Sequence, residues 1–196
     1  MSHEDVPQHQ IRALHTADTV TVYQAYPASI GVPAVRDGRF PWNWKRDRMT
    51  WIKPSYLWMA YRSGWASKPD QEVVLAVQIR RDGFDWALRN AVLSHHDRRL
   101  HRDKAAWKRQ LQSSPVRAQW DPERDVRLRP LPYRSLQLGL RGEAVERYAD
   151  EWLVGIREVT PLFRTMREMH PDGVSLLLPV ESPYPVPAGA RIVPGG

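Results

Sequence analysis

Apolar and polar positions alternate most clearly at two places in the chain. Thr19–Tyr26 (TVTVYQAY) interleaves β-branched and aromatic residues with smaller or polar ones, and residues 72–80 (EVVLAVQIR) do the same. Both patterns predict strands. Pro27, Gly31, Pro33 and Gly38 punctuate the chain after the first, with a short helical turn predicted around residues 29–35. Residues 48–53 predict another strand. Pro54 suits the first position of a helix over residues 54–63, which Gly64 ends. Asp82-Gly83 reads as a turn ahead of an amphipathic helix over residues 84–93. Residues 94–115 are polar and basic, with helix predicted around 104–111. Residues 116–120 and 133–140 read as strands joined by a Pro/Arg-rich connection. Ala144, Tyr148, Trp152 and Ile156 recur every four residues, flanked by Val145, Leu153 and Val159, which predicts one helix over residues 143–158. Pro161 interrupts it and a second helical piece reaches Met169. Asp172-Gly173 then predicts a turn into a last strand over residues 174–178.

These elements predict an α+β fold, a single mixed domain of about six strands with flanking helices. Residues 1–10 read as a flexible N-terminus and residues 11–178 as the domain. Residues 179–196, with five prolines and three glycines, read as an extended tail.

Composition narrows the function classes. Apolar residues make up 42% and charged residues 26% of 196, which suits a globular chain able to bury a core. There is no cysteine. That removes disulfides, thiolate chemistry and cysteine-ligated metal sites, and it agrees with a cytoplasmic location. The start, MSHEDVPQHQ, has no apolar run, and no segment approaches the roughly 20 apolar residues that span a bilayer. The net charge of +7 and pI near 10.0 favour polyanionic partners, nucleic acid first. A GC-rich coding genome produces the same heavy use of Arg, Trp and Pro.

The tryptophans concentrate this charge into a candidate site. Trp42, Trp44, Trp51, Trp58 and Trp65 fall within two dozen residues, among Arg48, Lys53, Arg62, Ser55 and Ser63. A core needs bulk but not interleaved cations, whereas aromatic faces beside guanidinium and ammonium groups suit a flat anion such as a nucleotide. Arg48, Lys53 and Arg62 are therefore candidate phosphate ligands. Trp58 reads as core, with Trp51 or Trp65 left as stacking platforms. Gln24 and Tyr26 share one face of the first strand and suit a ribose or amide edge. Ser135 and Gln137 share a face of the 133–140 strand, with Arg134 on the other. Asp121, Glu123, Arg124 and Asp125 form a charged turn, in which Glu123 is the first acid to test as a general base. His95, His96 and His101 lack metal-ligand spacing, so no metal is expected. Arg98, Arg99, Arg102, Lys104, Lys108 and Arg109 surround Trp107, a set that suits either a phosphate backbone or a solvated helix face.

VYQAY at residues 22–26, RMTWIKPSYLWMAYRSGWA at 48–66, QWDPERD at 119–125 and YRSLQLGL at 133–140 resemble domain-of-unknown-function family 4291 (DUF4291) over residues 11–160. That resemblance implies a mixed α+β domain and no settled activity. The stretch VYQAYPASIGVPAVRDGRF also resembles the opening of ADP-ribosyltransferase folds. There a strand ending in a Tyr-containing motif leads into a small helix, and NAD is the cofactor. In that superfamily the first strand supplies a polar residue to the NAD ribose, another strand a Ser or Tyr, and a late strand a Glu. Here Gln24 stands where His or Arg would, and the late strand RSLQLGL offers Gln137 rather than a carboxylate. The reading is a nucleotide- or nucleic-acid-directed enzyme, leaning to ADP-ribosyl transfer from NAD. Gln24, Glu123 and Ser135 are its catalytic candidates; Tyr26, Arg48, Lys53, Arg62, Arg134 and Gln137 are its ligand-binding ones. The alternative is a non-catalytic RNA- or DNA-binding module built on residues 98–109.

Overall fold

Strand β2 (Thr19–Tyr26) pairs antiparallel along its whole length with β4 (Val73–Arg80), from Thr19↔Arg80 to Tyr26↔Val73. The other edge of β4 is taken by β8 (Leu153–Glu158), completing a three-stranded sheet. A second sheet runs β3-β7-β6-β5, built from β3 (Thr50–Ile52), β5 (Ala91–Leu93), β6 (Val116–Arg124) and β7 (Pro130–Leu140). Only β5 and β6 are parallel in it. A two-residue strand β1 (Arg12–Ala13) pairs with β9 (Ser182–Pro183). This computed structural model describes residues 6–193, which form one mixed α+β domain.

Among the described residues, one antiparallel bridge joins the main chains of the two larger sheets. Tyr23 N–H donates to the Lys53 carbonyl at 2.7 Å, and Lys53 N–H donates back at 3.3 Å. One residue further on the backbones part, and the Gln24 side chain spans the gap by donating to the Trp51 carbonyl at 3.1 Å. The candidate site lies where the sheets splay.

Strand periodicity sorts the apolar residues into two clusters on opposite faces of the three-stranded sheet. Val20 and Val22 of β2 share one face with Leu75, Val77 and Ile79 of β4. That face packs against α1 (Ala28–Asp37), α3 (Arg81–Arg89) and the second sheet. Tyr23, Val74 and Ala76 face the other way, onto α2 (Tyr56–Ser63), α6 (Thr160–Glu168) and α7 (Pro171–Leu177).

The helix over residues 54–63 begins later than expected. Pro54 precedes Ser55, whose hydroxyl caps α2 by accepting the Trp58 N–H at 3.0 Å. Gly64 closes it at φ 60°, donating to the carbonyls of Ala60 and Tyr61. Asp82-Gly83 is no turn: both lie inside α3, which follows β4 directly. A Cβ on Gly83 would overlap the Trp152 indole, so the glycine serves close packing. Residues 91–93, expected as helix, form β5 instead. The expected basic helix is α4 (Lys104–Ser113).

The helix expected over residues 143–158 is broken. It runs as α5 (Glu143–Arg147), opens into a π-helical turn at Tyr148–Trp152, and continues as β8. Ala144, Tyr148, Trp152 and Ile156 are all buried, as the four-residue spacing required, but Ile156 reaches the core from a strand opposite Val77. The main-chain groups along the free edge of β4 outweigh the spacing, and Val154-Gly155-Ile156 is a weak helix former. The strand expected over residues 174–178 is helix α7, started by Pro171 at its first position. Of the expected flexible N-terminus, residues 1–5 lie outside the described residues, while Arg134 N–H donates to Gln8 O at 2.8 Å. The Pro/Gly-rich tail is extended but bound to the core. Tyr184 is 3% exposed and donates through its hydroxyl to Asp85 at 2.6 Å, and Trp120 Nε1 donates to Ile192 O at 2.7 Å. No helix is long and apolar enough to cross a membrane among the described residues.

Candidate functional site

A cleft of about 710 Å³ opens where β2 and β3 diverge. The end of β2 supplies Gln24 and Tyr26, the loop before β3 supplies Lys45 and Arg48, and β3 supplies Trp51. Helix α2 adds Trp58, Met59 and Arg62; Gln119 of β6 and Gln137 of β7 also line the cleft. The loop wall is fixed from behind. Phe40 stacks on Trp44 at 4.2 Å between ring centres, Trp44 Nε1 donates to the Tyr26 hydroxyl at 3.0 Å, and Arg46 pairs with Glu146 and Asp150. On the opposite rim Asp70 holds left-handed backbone (φ 62°), as do Trp65 and Ala66 (φ 57° and 64°) in the preceding turn, away from the cleft. Such geometry costs a non-glycine residue about 1 kcal/mol or more and persists only where its surroundings impose it.

Four cations line the cleft, Lys45, Arg48, Lys53 and Arg62, against one carboxylate, Asp70. Lys53 differs from the others. It is 7% exposed, and its Nζ lies 5.2 Å from the centre of the Trp58 ring. Among the described residues it makes no side-chain hydrogen bond and no ion pair. Burial, and then the Arg62 guanidinium, lower its pKa from 10.5 to about 7, against a smaller opposing effect of Asp121. Beside it the Trp58 indole N–H is buried and has no acceptor in the protein. A lysine without a hydrogen bond and an orphaned indole N–H thus stand in one wall of one cleft. A buried donor left unpaired costs about 1–3 kcal/mol.

The sequence-predicted residues divide into three groups. Gln24, Tyr26, Arg48, Lys53, Arg62 and Gln137, drawn from three separated segments, meet around the cleft. Gln24 has both ends of its amide occupied, since its Oε1 also accepts the Tyr148 hydroxyl at 2.6 Å. It holds the splayed sheets together. Tyr26 accepts from Trp44, and burial raises its pKa, so its hydroxyl stays protonated.

Glu123 and Ser135 lie together outside the cleft lining. Alternation along β6 puts Glu123 on the same face as Gln119 and Asp121, but the N-terminus of α2 seals it over. Glu123 accepts from Ser55 Oγ at 2.9 Å and from the Arg124 N–H at 2.8 Å, with Ser135 bonded to it as well. Burial raises its pKa. Beside it Glu181 accepts the Tyr56 N–H at 2.7 Å, and burial together with the Glu123 charge pushes Glu181 up to about 8.

Arg134, of opposite parity to Ser135 and Gln137 on β7, lines a separate hollow of about 540 Å³ with His9, His95 and Arg99. It donates to the Trp120 carbonyl at 3.2 Å, and Arg99 is paired with Asp97. Among the three tryptophans spaced by seven residues, Trp51 and Trp58 line the cleft, whereas Trp65 packs against Phe163. In the basic segment, Trp107 anchors α4 by donating to the Leu93 carbonyl at 2.9 Å, leaving Arg102, Lys104, Lys108 and Arg109 exposed. Among the described residues no group of His, Cys, Asp or Glu converges as a metal site.

Asp121 is the carboxylate the sequence reading passed over. Gln119 Nε2 donates to one of its oxygens at 3.0 Å and Gln137 Nε2 to the other at 2.5 Å, both from the cleft floor. The signal was the shared parity of Gln119 and Asp121 on one strand, which faces Gln137 across the ladder at Gln119↔Gln137.

Fold and site together define a mixed α+β domain with a basic, tryptophan-walled cleft at the junction of two sheets. Residues 10–184 match the family described as "Domain of unknown function (DUF4291)", and the chain belongs to that family. No curated protein matches the chain.

Proposed function

We propose that the cleft binds a nucleotide-class ligand, an anion carrying a flat ring, and that the protein is an enzyme acting on it. One observation carries the reading: Lys53, a largely buried lysine with no hydrogen bond or ion pair, and Trp58, whose buried indole N–H has no acceptor, line a cleft whose other charged lining is mostly cationic. Arg48 and Arg62 are the phosphate ligands, since a guanidinium fork matches phosphate oxygens. Trp51 is the stacking face, and the volume suits one small ligand. NAD is the dinucleotide to test first, with ADP-ribosyl transfer as the reaction. Asp121, held by Gln119 and Gln137 beside the cleft, is a better-placed acid–base group than Glu123.

Titration calorimetry with NAD, ATP and a short RNA tests this. A saturable, stoichiometric signal with a mononucleotide or dinucleotide, weakened at least tenfold in Arg48→Ala and Arg62→Ala, is the expected result. The exposed cations of α4 favour a second reading, a non-catalytic nucleic-acid-binding module. Binding of RNA alone, vanishing between low and moderate salt, would establish that reading and overturn the first.

A further inference from the structure

We propose that Lys53 is an amine nucleophile that condenses with the aldehyde of a phosphorylated sugar bound in the cleft. This rests on the anion-binding reading of the same cleft and adds a covalent step to it. Its basis is a division of labour among the four cations. Lys45, Arg48 and Arg62 are exposed and lie where a phosphate can meet them from solvent. Lys53 sits deeper, with its Nζ over the Trp58 face and no side-chain hydrogen bond or ion pair among the described residues. A lysine kept as a phosphate ligand gains from staying charged. A lysine desolvated and set beside another cation instead yields the free amine, the form that attacks carbonyls, more readily near neutral pH. The groups acting on it are Arg62 from α2, which disfavours its charge, and Asp121 from β6, which favours it; burial, the largest influence, acts with Arg62 and leaves a pKa near 7.

The step balances without any further reagent. The Nζ lone pair forms a bond to the aldehyde carbon, the carbonyl π pair moves to oxygen, and a proton passes from nitrogen to that oxygen. The carbinolamine then expels water as the C=N bond forms, so amine and aldehyde give imine and water. Asp121, pinned by Gln119 and Gln137, is the nearby carboxylate able to take and return the proton. The aldehyde has two sources with the same chemistry: a free pentose phosphate in its open-chain form, or the ring-opened sugar of an abasic site in a nucleic-acid strand.

Reductive trapping tests the proposal. The protein is incubated at pH 7 with ribose 5-phosphate, or with an oligonucleotide carrying one abasic site, plus cyanoborohydride. The modified lysines are then mapped by peptide mass spectrometry. The expected result is an adduct on Lys53 formed at least tenfold faster than on Lys45, Lys68, Lys104 or Lys108, with a rate rising through a midpoint near pH 7. The faster arm names the source. Lys53→Arg should lose the adduct while its tryptophan fluorescence stays native. Mapping in the wild type decides the question even if that variant fails to fold. Adducts spread evenly over the exposed lysines, an unmodified Lys53, or a rate midpoint near 10 would each overturn the proposal. Calorimetry with NAD or ATP reports anion binding separately, so the failure of one reading is distinguishable from failure of the other.

Discussion

Replacing Lys53 with methionine should make the free protein more stable. Burial first and Arg62 second lower this amine from 10.5 to about 7, which means that the unfolded chain binds its proton more tightly than the folded one does. At ~1.4 kcal/mol per tenfold difference in proton affinity, the folded state gives up about 4 kcal/mol at pH 7. Relaxation and water at the cleft mouth reduce this to an expected gain of about 2–4 kcal/mol for Lys53→Met, whose chain has similar length and no charge. The sign with pH follows. The folded-state pKa is the lower one, so the stability lost to this group is fully lost below about 7 and is recovered as pH rises towards 10.5. Urea or guanidinium unfolding followed by tryptophan fluorescence, at pH 6, 7.5 and 9, measures it. The wild type should gain on the variant between pH 7 and 9 and trail it most at pH 6. If Lys53→Met is less stable than the wild type by more than about 1 kcal/mol at pH 7, Lys53 is a structural residue with favourable contacts in the free protein. The functional argument from its orphaned state then fails.

Glu181→Gln should also stabilise, over a different range. Its carboxyl is raised from 4.5 to about 8, so its contribution is full below the unfolded value and lost as pH rises through about 8. Because Glu181 keeps part of its surface in water, screening leaves an expected gain of about 1–3 kcal/mol at pH 8, read from denaturation midpoints. Gln24→Ala removes the partner of both the Tyr148 hydroxyl and the Trp51 carbonyl, and should cost about 2–3 kcal/mol of stability. A loss of activity with unchanged stability would instead make Gln24 a catalytic residue. Gly83→Ala should cost about 1–3 kcal/mol, because the added methyl meets the Trp152 indole, and an unchanged midpoint would refute that packing. Arg48→Ala and Arg62→Ala should leave stability within about 0.5 kcal/mol while weakening nucleotide affinity at least tenfold in calorimetry.

By itself the sequence determined the parts of this protein that depend on near neighbours. The alternation of residues 19–26 and 73–80 specified β2 and β4, and Gly64 specified the end of α2. The strand-to-helix break at Pro54 and the basic, aromatic character of the 48–65 block were also legible. So was the family, which the tryptophan block marks and whose match spans residues 10–184. Tertiary structure decided everything that depended on which surface was left to cover. Four-residue spacing at Ala144, Tyr148, Trp152 and Ile156 records burial alone, and the free edge of β4 turned residues 153–158 into a strand. Parity placed Glu123 and Asp121 on one face of β6, but the N-terminus of α2 lies over Glu123 and leaves Asp121 beside the cleft. Gln24 was recognisable as a polar residue in a strand, yet its role follows from the parting of two sheets whose main chains are bridged at Tyr23 and Lys53. Lys53 illustrates the division most clearly. Its charge can be read from one letter of the sequence, whereas its lowered pKa needs the burial and the neighbouring guanidinium that only the folded chain supplies.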